Sequence, residues 1–360
     1  MRGAIALPPT IVRSVLIITK HNFMGDTIVA VPLIRAARRA FPDADITLLT
    51  GGAAAVALQN CPFVDRVLTY APKKQKGLAA YLRLVRQLRG EAGRPDVCLV
   101  ADRSIRSAAL ALGTRATVRA GFDTESRGWM LTHPVPYDVG ARREIESCLD
   151  IVRAVAPESE FGPYDPAPEL WLTAEERARG AEILHAHGAF SDRSPLLVGI
   201  QPGASYDGKQ WETERYAAVA DALAADGATI VLLGSGEREL AIASRMQDAM
   251  SERSAIVDLT GRTSLRETMG VLPHLALFIG NDTGVSHIAA SLGVRTLQLF
   301  GPTSARKWGH VGPKNLVIDG PGDTLKTVSA DEVLRAARTL LPEETPHGCP
   351  AEAVGGATSR

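Results

Sequence analysis

The chain has 360 residues, of which 45% are hydrophobic and 22% are charged, and its formal net charge is zero. This length predicts two domains of ordinary size, each able to bury its own core. The sequence has no apolar run approaching the roughly 18 residues that span a bilayer. Its low aromatic content of 5% argues against a protein that binds nucleic acid by base stacking.

The four cysteines, Cys61, Cys98, Cys148 and Cys349, lie far apart and include no C-x-x-C pair. This spacing is typical neither of a disulfide framework nor of a zinc site, and it suits a reducing compartment. The apolar stretch near the N-terminus is too short for the core of a signal peptide. We therefore expect a cytoplasmic protein.

The zero net charge conceals an uneven distribution along the chain. Residues 1–170 carry 22 basic and 17 acidic side chains, whereas the remainder carries 18 basic and 23 acidic ones. The excess is concentrated in residues 66–115, which hold 11 basic and three acidic side chains. This asymmetry favours an anionic partner for the N-terminal half, with solvated helix faces as the alternative.

The first half of the chain alternates short β-branched runs with stretches of helical periodicity. This pattern is typical of a parallel sheet with crossover helices. Strands are predicted at residues 14–19, 45–50, 66–70, 96–100 and 117–120. Helices are predicted at residues 26–40, 77–90, 103–112 and 142–156.

A proline-rich stretch at residues 157–170 predicts a linker between two domains. In the second half, S/T-x-x-E capping boxes predict helix starts at Thr173, Ser264 and Ser329. Strands are predicted at residues 196–200, 229–233, 256–259, 276–279 and 295–300. The expected organisation is a first domain at 1–165, a second at 173–342 and a disordered tail at 343–360.

Two such domains in tandem, with a cleft between them, indicate an α/β fold of GT-B-like architecture, with two Rossmann-like, doubly wound domains. Several dehydrogenases and sugar-binding proteins share this description, so the fold alone does not determine the function. In doubly wound sheets, ligands bind outside the carboxyl ends of the strands. The loops that follow the strands are therefore the places to look for chemistry.

The loop after the first strand, residues 20–27, has Gly25 at a turn and Asp26 at the predicted helix start. An aspartate at this position can cap the helix by accepting from backbone N–H groups. It can equally serve as a carboxylate in the cleft that takes a proton from a hydroxyl. The loop lacks G-x-G-x-x-G, which argues against a dinucleotide site.

Two loops of the second half have residues suited to a nucleotide. Residues 201–211 contain small residues followed by Lys209. Close backbone approach and the lysine charge would suit a diphosphate, and an ordinary surface loop is the alternative. Residues 234–239 contain Glu237 and Glu239, whose carboxylates can bond ribose hydroxyls or interact with the helix dipole.

The loop at residues 280–290 combines polar residues, the turn residue Gly284 and a helix start, with His287 one turn into the helix. The N–H groups of that first turn can bind a phosphate. Because Asp282 would repel an anion, we expect it to orient the loop or to contact hydroxyls. A buried structural role is the alternative for His287.

Together these loops resemble glycosyltransferase family 9, the heptosyltransferases of lipopolysaccharide core assembly, from about Val15 to Gly312. Five motifs in the family's order carry the resemblance. They are Gly25-Asp26 with Pro32-Leu33, Pro202-Gly203-Ala204-Ser205 with Lys209-x-Trp211, residues 260–265 (TGRTSL), Asn281-Asp282-Thr283-Gly284-x-x-His287, and Phe300-Gly301-Pro302-Thr303.

The resemblance implies an enzyme with a GT-B fold that inverts the anomeric centre with no obligatory metal and no cofactor. Its donor would be ADP-L-glycero-D-manno-heptose, bound by the C-terminal domain. Its acceptor would be an anionic glycolipid, the lipopolysaccharide core, bound by the N-terminal domain at the cytoplasmic face of the inner membrane. No nucleic-acid partner is implied.

Residue by residue, the resemblance implies that Asp26 is the catalytic general base and that Lys209 binds the donor diphosphate. The ribose-binding acid is expected to be Glu237, with Glu239 as the alternative. The remaining implied donor-binding residues are Ala204, Ser205, Asp282, Thr283, Gly284, Val285 and His287.

Residues 21–24 (HNFM) depart from the small, serine-rich residues that the family often has before the Gly-Asp pair. Because this loop is expected to face the acceptor, a family 9-like transferase that acts on a secondary metabolite or a protein stays an alternative. A non-catalytic nucleotide-sugar binder is a second alternative, and it would not need Asp26. An oxidoreductase that uses NAD is disfavoured by the missing glycine motif.

Overall fold

The computed structural model describes residues 8–71, 77–91, 93–140, 142–157, 167–189 and 196–342. The N-terminal half of this region contains a six-stranded parallel sheet in the order β3-β2-β1-β4-β5-β6. The strands are β1 (Ser14–Ile18), β2 (Asp45–Thr50), β3 (Arg66–Thr69), β4 (Val97–Val100), β5 (Val118–Phe122) and β6 (His133–Val135). The order reverses at β1, so the loops after β1 and β4 diverge to form a crevice there.

The helices of this half cover the sheet, and all but the last connect consecutive strands. They are α1 (Met24–Val29), α2 (Val31–Ala40), α3 (Gly52–Ala57), α4 (Leu78–Glu91), α5 (Ile105–Thr114) and α6 (Glu144–Arg153). The central strands β1 and β4 are apolar throughout most of their length and buried, as expected for a parallel sheet covered on both faces.

The C-terminal half repeats the same plan with a second parallel sheet, in the order β12-β11-β10-β7-β8-β9. Its strands are β7 (Leu197–Gln201), β8 (Thr229–Leu232), β9 (Ile256–Asp258), β10 (Leu277–Asn281), β11 (Thr296–Phe300) and β12 (Asn315–Asp319). Its helices are α7 (Ala174–Ala186), α8 (Thr213–Ala225), α9 (Glu237–Ala249), α10 (Leu265–Val271), α11 (Gly284–Ser291), α12 (Ala305–Trp308) and α13 (Ala330–Leu340).

The two halves meet where helix α1 packs against helix α11. A Cβ at Gly25 would lie 2.7 Å from Cδ2 of His287, and a Cβ at Gly284 would lie 2.5 Å from Cε of Met24. Neither distance is compatible with a larger residue unless the neighbour moves. The two glycines therefore allow the N-terminal turns of α1 and α11 to approach each other.

Polar contacts add to this junction. Lys307 of α12 donates from Nζ to the hydroxyl of Tyr137 at 2.5 Å and lies 3.4 Å from Oε2 of Glu144. Arg266 of α10 donates to the carbonyl oxygen of Ala57 at 3.3 Å. Because the side chains of Lys307 and Glu144 are both buried, removing either one would leave a buried charge without its partner.

The sequence predicted ten of the twelve strands, and the structure places each within two residues of its expected ends. The capping boxes at Thr173 and Ser264 are confirmed. Ser329 caps α13 by accepting from the N–H of Glu332 at 3.2 Å. Strands β6 and β12 were not predicted.

The single helix predicted at residues 26–40 is wrong in two respects. It begins earlier, at Met24, and it is divided at Ala30 into α1 and α2. Pro32 lies in the first turn of α2, where a residue without an N–H group costs no hydrogen bond. The proline therefore marks a new helix start rather than the interior of one helix.

The proposed division into domains at 1–165 and 173–342 stays a prediction, because most of the connecting segment lies outside the described residues. The described part of that segment contacts the first half, since Glu169 pairs with Arg35 of α2 at 2.6 Å. The predicted tail at 343–360 lies wholly outside the described residues.

Candidate active site

A pocket of about 480 Å³ lies between the two halves; we call it the cleft pocket. Its walls come from the loops that follow β1, β7, β10 and β11, together with residues of α1, α9, α11 and α12. Of the ten site residues expected from the sequence, eight line it: Asp26, Ser205, Lys209, Asp282, Thr283, Gly284, Val285 and His287. Ala204 is buried nearby in the chain and Glu237 is exposed; neither contributes to the lining.

Asp26 is the third residue of α1, and the N-cap position is occupied by Phe23, whose side chain makes no capping bond. Asp26 is therefore not the N-cap of α1, which rules out the capping alternative. Its carboxylate instead accepts from Nζ of Lys20, with Oδ1 2.7 Å away. The Asp26 side chain keeps 21% of its surface exposed, so it remains accessible from the pocket.

The position of the Lys20–Asp26 pair depends on buried hydroxyl groups beneath the loop. Thr27 donates from Oγ1 to the carbonyl oxygen of Lys20 at 3.0 Å. The hydroxyls of Thr19 and Thr50 lie 2.9 Å apart, and that of Thr27 is 3.2 Å from Thr19. These bonds join the end of β1, the start of α1 and the end of β2, so the loop is held at both of its ends.

On the opposite wall, Asp282 accepts from three side chains. Its Oδ2 lies 2.6 Å from Nζ of Lys209 and 2.8 Å from Oγ1 of Thr303, and its Oδ1 lies 3.1 Å from Nε2 of His287. Burial alone would raise the pKa of Asp282, but the hydrogen bond from His287, the charge of His287 when it is protonated, and Lys209 lower that pKa far below its usual range. Asp282 is thus an ionised carboxylate that orients Lys209 and His287.

His287 is buried yet lines the pocket, so the structural and functional interpretations of this residue both apply. Its second nitrogen, Nδ1, lies 2.9 Å from Nε2 of His310. Burial, and then the charges of His287 and Arg143, lower the pKa of His310 well below its usual value. Sequence reasoning missed His310, because it lies 23 residues further along the chain and belongs to no local motif.

A second chain of hydrogen bonds determines which glutamate faces the pocket. Thr283 donates to Oε1 of Gln201 at 2.8 Å, and Nε2 of Gln201 donates to Oε1 of Glu239 at 3.2 Å. The N–H of Ser235 donates to Oε2 of Glu239 at 2.7 Å. Glu239 therefore lines the pocket, whereas Glu237 lies at the exposed first position of α9.

The two donor-side loops are joined through the buried amide of Asn281. Its Nδ2 donates to the carbonyl oxygens of Pro202 and Gly203 at 3.1 and 3.0 Å, and its Oδ1 accepts from the N–H of Trp211 at 3.1 Å. Asn281 thus uses both ends of its amide to hold the β7–α8 loop against the start of α11. These contacts give Asn281 a structural role in the motif, and that role requires no direct contact with a ligand.

Within the described ranges, no cluster of three or more His, Cys, Asp or Glu residues has the arrangement of a metal site. The same ranges contain no helix long and apolar enough to cross a membrane.

Comparison of the sequence with known proteins identifies a family and its relatives. The family model of glycosyltransferase family 9 (heptosyltransferase) matches residues 81–335. Lipopolysaccharide heptosyltransferase 3 of Escherichia coli is 26% identical over 348 residues, which covers 90% of this chain and 98% of that protein.

Among solved structures, a family 9 glycosyl transferase from Veillonella parvula superimposes with a TM-score of 0.79 at 21% identity, covering 93% of this chain and 98% of that one. ADP-heptose lipopolysaccharide heptosyltransferase II of E. coli superimposes with a TM-score of 0.76 at 22% identity, covering 91% and 98%. These likenesses establish the fold.

Two parallel α/β halves that face each other across a ligand-sized cleft define the GT-B architecture. The family match extends over most of the chain, from the start of α4 into α13. The chain belongs to glycosyltransferase family 9.

Proposed function

We propose that this chain is an inverting heptosyltransferase that transfers heptose from ADP-L-glycero-D-manno-heptose to a lipopolysaccharide core acceptor. One observation carries the proposal: Asp26 and the Lys209–Asp282–His287 cluster line the same pocket from opposite halves. A base and a leaving-group site on facing walls are what an in-line displacement at a sugar carbon needs. The relatives in E. coli, lipopolysaccharide heptosyltransferase 3 and ADP-heptose lipopolysaccharide heptosyltransferase II, support the choice of heptose and of lipopolysaccharide.

For the donor, we assign the diphosphate to Lys209 and to the N-terminal turn of α11, where Thr283, Gly284 and Val285 line the pocket. Backbone N–H groups at a helix start favour an anion. We assign the ribose hydroxyls to Glu239 rather than to Glu237, because only the former lies in the lining.

In the reaction we propose, the Asp26 carboxylate takes the proton of the acceptor hydroxyl while that oxygen forms a bond to the anomeric carbon. The bond between that carbon and the diphosphate oxygen breaks on the opposite side, and ADP leaves with the electron pair. Negative charge grows on the diphosphate as the bond lengthens, and Lys209 is positioned to stabilise it. The Lys20 ammonium, 2.7 Å from Oδ1, orients the Asp26 carboxylate.

For the acceptor, we propose that the anionic core and the membrane surface meet the N-terminal half. Helix α4 presents Arg83, Arg86 and Arg89 to solvent, and Leu78 is 73% exposed on the same helix. Basic side chains beside exposed apolar ones suit an anionic glycolipid. The lysines of the basic segment 66–115 all lie within residues 72–76, which are outside the described residues.

The test of this function is a donor screen that measures released nucleotide from ADP-heptose, UDP-sugars and GDP-sugars, each with and without core oligosaccharide. Among the donors, we expect nucleotide release only from ADP-heptose, and we expect core oligosaccharide to increase it. Release from a UDP- or GDP-sugar in preference to ADP-heptose would overturn the donor assignment.

One observation favours a second acceptor class. Phe23 and Met24, which replace small residues typical of the family, line the cleft pocket beside Asp26, and Phe23 is 52% exposed. An apolar aglycone, such as a secondary metabolite, would suit these side chains better than a charged sugar. Direct binding of core oligosaccharide to the chain separates the two acceptors, because an enzyme for a small apolar acceptor should show none.

A further inference from the structure

The charges that line the cleft pocket do not by themselves suit a diphosphate. The ionised side chains in the lining are two lysines, Lys20 and Lys209, and three carboxylates, Asp26, Glu239 and Asp282. Each lysine is already paired with a carboxylate, at 2.7 and 2.6 Å respectively. With a neutral His287 the lining therefore carries a net negative charge, which opposes the binding of an anion.

In the lining, both ring nitrogens of His287 lie within hydrogen-bond distance of another titratable side chain. Its Nε2 lies 3.1 Å from an ionised carboxylate, which can only accept, so this nitrogen carries a hydrogen. The second nitrogen, Nδ1, faces Nε2 of His310 at 2.9 Å. One of these two nitrogens donates and the other accepts.

Two arrangements satisfy that contact. In the first, His310 donates from Nε2 to Nδ1 of His287, and both rings are neutral. In the second, His287 donates from Nδ1 to His310 and carries a positive charge, while His310 stays neutral with its hydrogen on Nδ1. The arrangements differ by one proton, and the hydrogen bond between the rings exists in both.

We propose that the His287–His310 pair takes up one proton from solvent when a nucleoside diphosphate binds, and that His310 is the positioning residue that gives His287 a partner in both protonation states. This inference rests on the proposed donor. The added proton converts His287 into a cation next to the phosphate-binding loop, so that the lining becomes neutral before the charge of the ligand is added.

The groups that face the pair are consistent with its second arrangement. Asp282 stabilises a cationic His287 at 3.1 Å. On the His310 side, Arg143 donates to the carbonyl oxygen of Gly309 at 3.4 Å, and its charge, after burial, keeps the pKa of His310 low. Further charged groups lie in the pocket lining and on the elements packed around the pair: Lys20, Lys209, Glu239, Asp26 of α1, Glu144 of α6, and Arg306 and Lys307 of α12.

The test is calorimetric titration of ADP into the full chain, at several pH values from 7 to 9 and in two buffers with different ionisation enthalpies. This range lies above the second pKa of about 6 of a phosphate group, so the ligand releases or binds few protons itself. We expect uptake approaching one proton per ADP in the wild type, and a Kd that rises with pH.

His310→Phe removes the partner of Nδ1 while keeping a ring in the space. We expect it to lose the proton uptake, to flatten the dependence of Kd on pH, and to weaken ADP binding about tenfold at pH 7. If His310→Phe does not fold, His310→Leu also removes the partner of Nδ1 and is expected to give the same result. His310→Gln, whose amide can donate or accept, is expected to retain uptake. His133→Phe, at a buried histidine outside the pocket lining, is the matched control and should behave as the wild type.

The outcomes are distinguishable. Wild-type binding of ADP without proton uptake overturns the inference and leaves the proposed donor intact. Uptake that persists in His310→Phe or His310→Leu overturns the role of His310. Failure of the wild type to bind ADP at any pH overturns the proposed donor, and the inference with it.

Discussion

Replacing Asp26 with asparagine keeps the size of the side chain and removes its charge and its basicity. In the folded chain the carboxylate makes one ion pair, with Lys20, and both side chains are more than 20% exposed. Exposed pairs of this kind contribute about 0–1 kcal/mol to stability. We therefore expect Asp26→Asn to change the free energy of unfolding by no more than about 1 kcal/mol.

The effect on turnover should be larger. A positioned general base contributes on the order of 10²–10⁴ in rate, which corresponds to at least about 2.7 kcal/mol of activation free energy. Donor affinity should change little, because the residues assigned to the diphosphate are held by Asp282 and not by Asp26. The variant should thus separate a large kinetic effect from small effects on folding and binding.

Three measurements check this expectation: thermal unfolding, ADP affinity, and the rate of ADP release from ADP-heptose in the presence of acceptor. Glu237→Gln is the matched control, since it neutralises an exposed carboxylate that does not line the pocket. Equal turnover by wild type and Asp26→Asn would refute the assignment of the base. A loss of turnover that is matched by a loss of stability would also count against it.

Lys209→Ala should weaken ADP binding and slow transfer together, because the ammonium is assigned to the leaving diphosphate; unchanged ADP affinity argues against that assignment. Glu239→Ala should weaken ADP binding about tenfold or more through lost hydrogen bonds to the ribose, whereas Glu237→Ala should not, and the reverse result would return the role to Glu237. Asp282→Asn should destabilise the fold at neutral pH by about 3 kcal/mol or more, since it leaves the largely buried Lys209 ammonium and the buried N–H of His287 without their carboxylate. Because the pKa of Asp282 is lower in the folded state, its contribution is fully present above the unfolded value of about 3.9. That contribution is lost as the pH falls below about 3.9. The difference in free energy of unfolding between wild type and Asp282→Asn should therefore shrink in acid.

Most of the sheet was predictable because parallel strands buried on both faces have a purely local signature, a short β-branched run between turns. The two strands that were missed are only partly buried. Strand β6 has three residues, with Pro134 at its centre, and β12 is half-exposed along most of its length. Both are edge strands. Because an edge strand has a neighbouring strand on one side only, fewer of its residues need to be apolar.

Local sequence patterns could not decide whether Glu237 or Glu239 faces the pocket. Both residues lie in the first turn of α9, and residues two apart on a helix point in directions about 200° different. Only one of them can face the pocket, and the rotation of α9 about its axis decides which. That rotation is set by packing against the rest of the domain and by the bonds from Gln201 and Ser235.

The sequence by itself determined the two-domain α/β plan, the carboxylate at position 26, and the lysine and histidine of the donor loops. These features depend on hydrophobic periodicity and on residues that lie close together in the chain. Only the tertiary structure showed that Asp26 pairs with Lys20, that Asp282 holds Lys209 and His287, and that His310 completes the buried pair. The contacts of Asp282 with Lys209 and of His287 with His310 join separate loops, which strand ends and helix starts bring to one cleft. No spacing along the chain encodes a distance across that cleft.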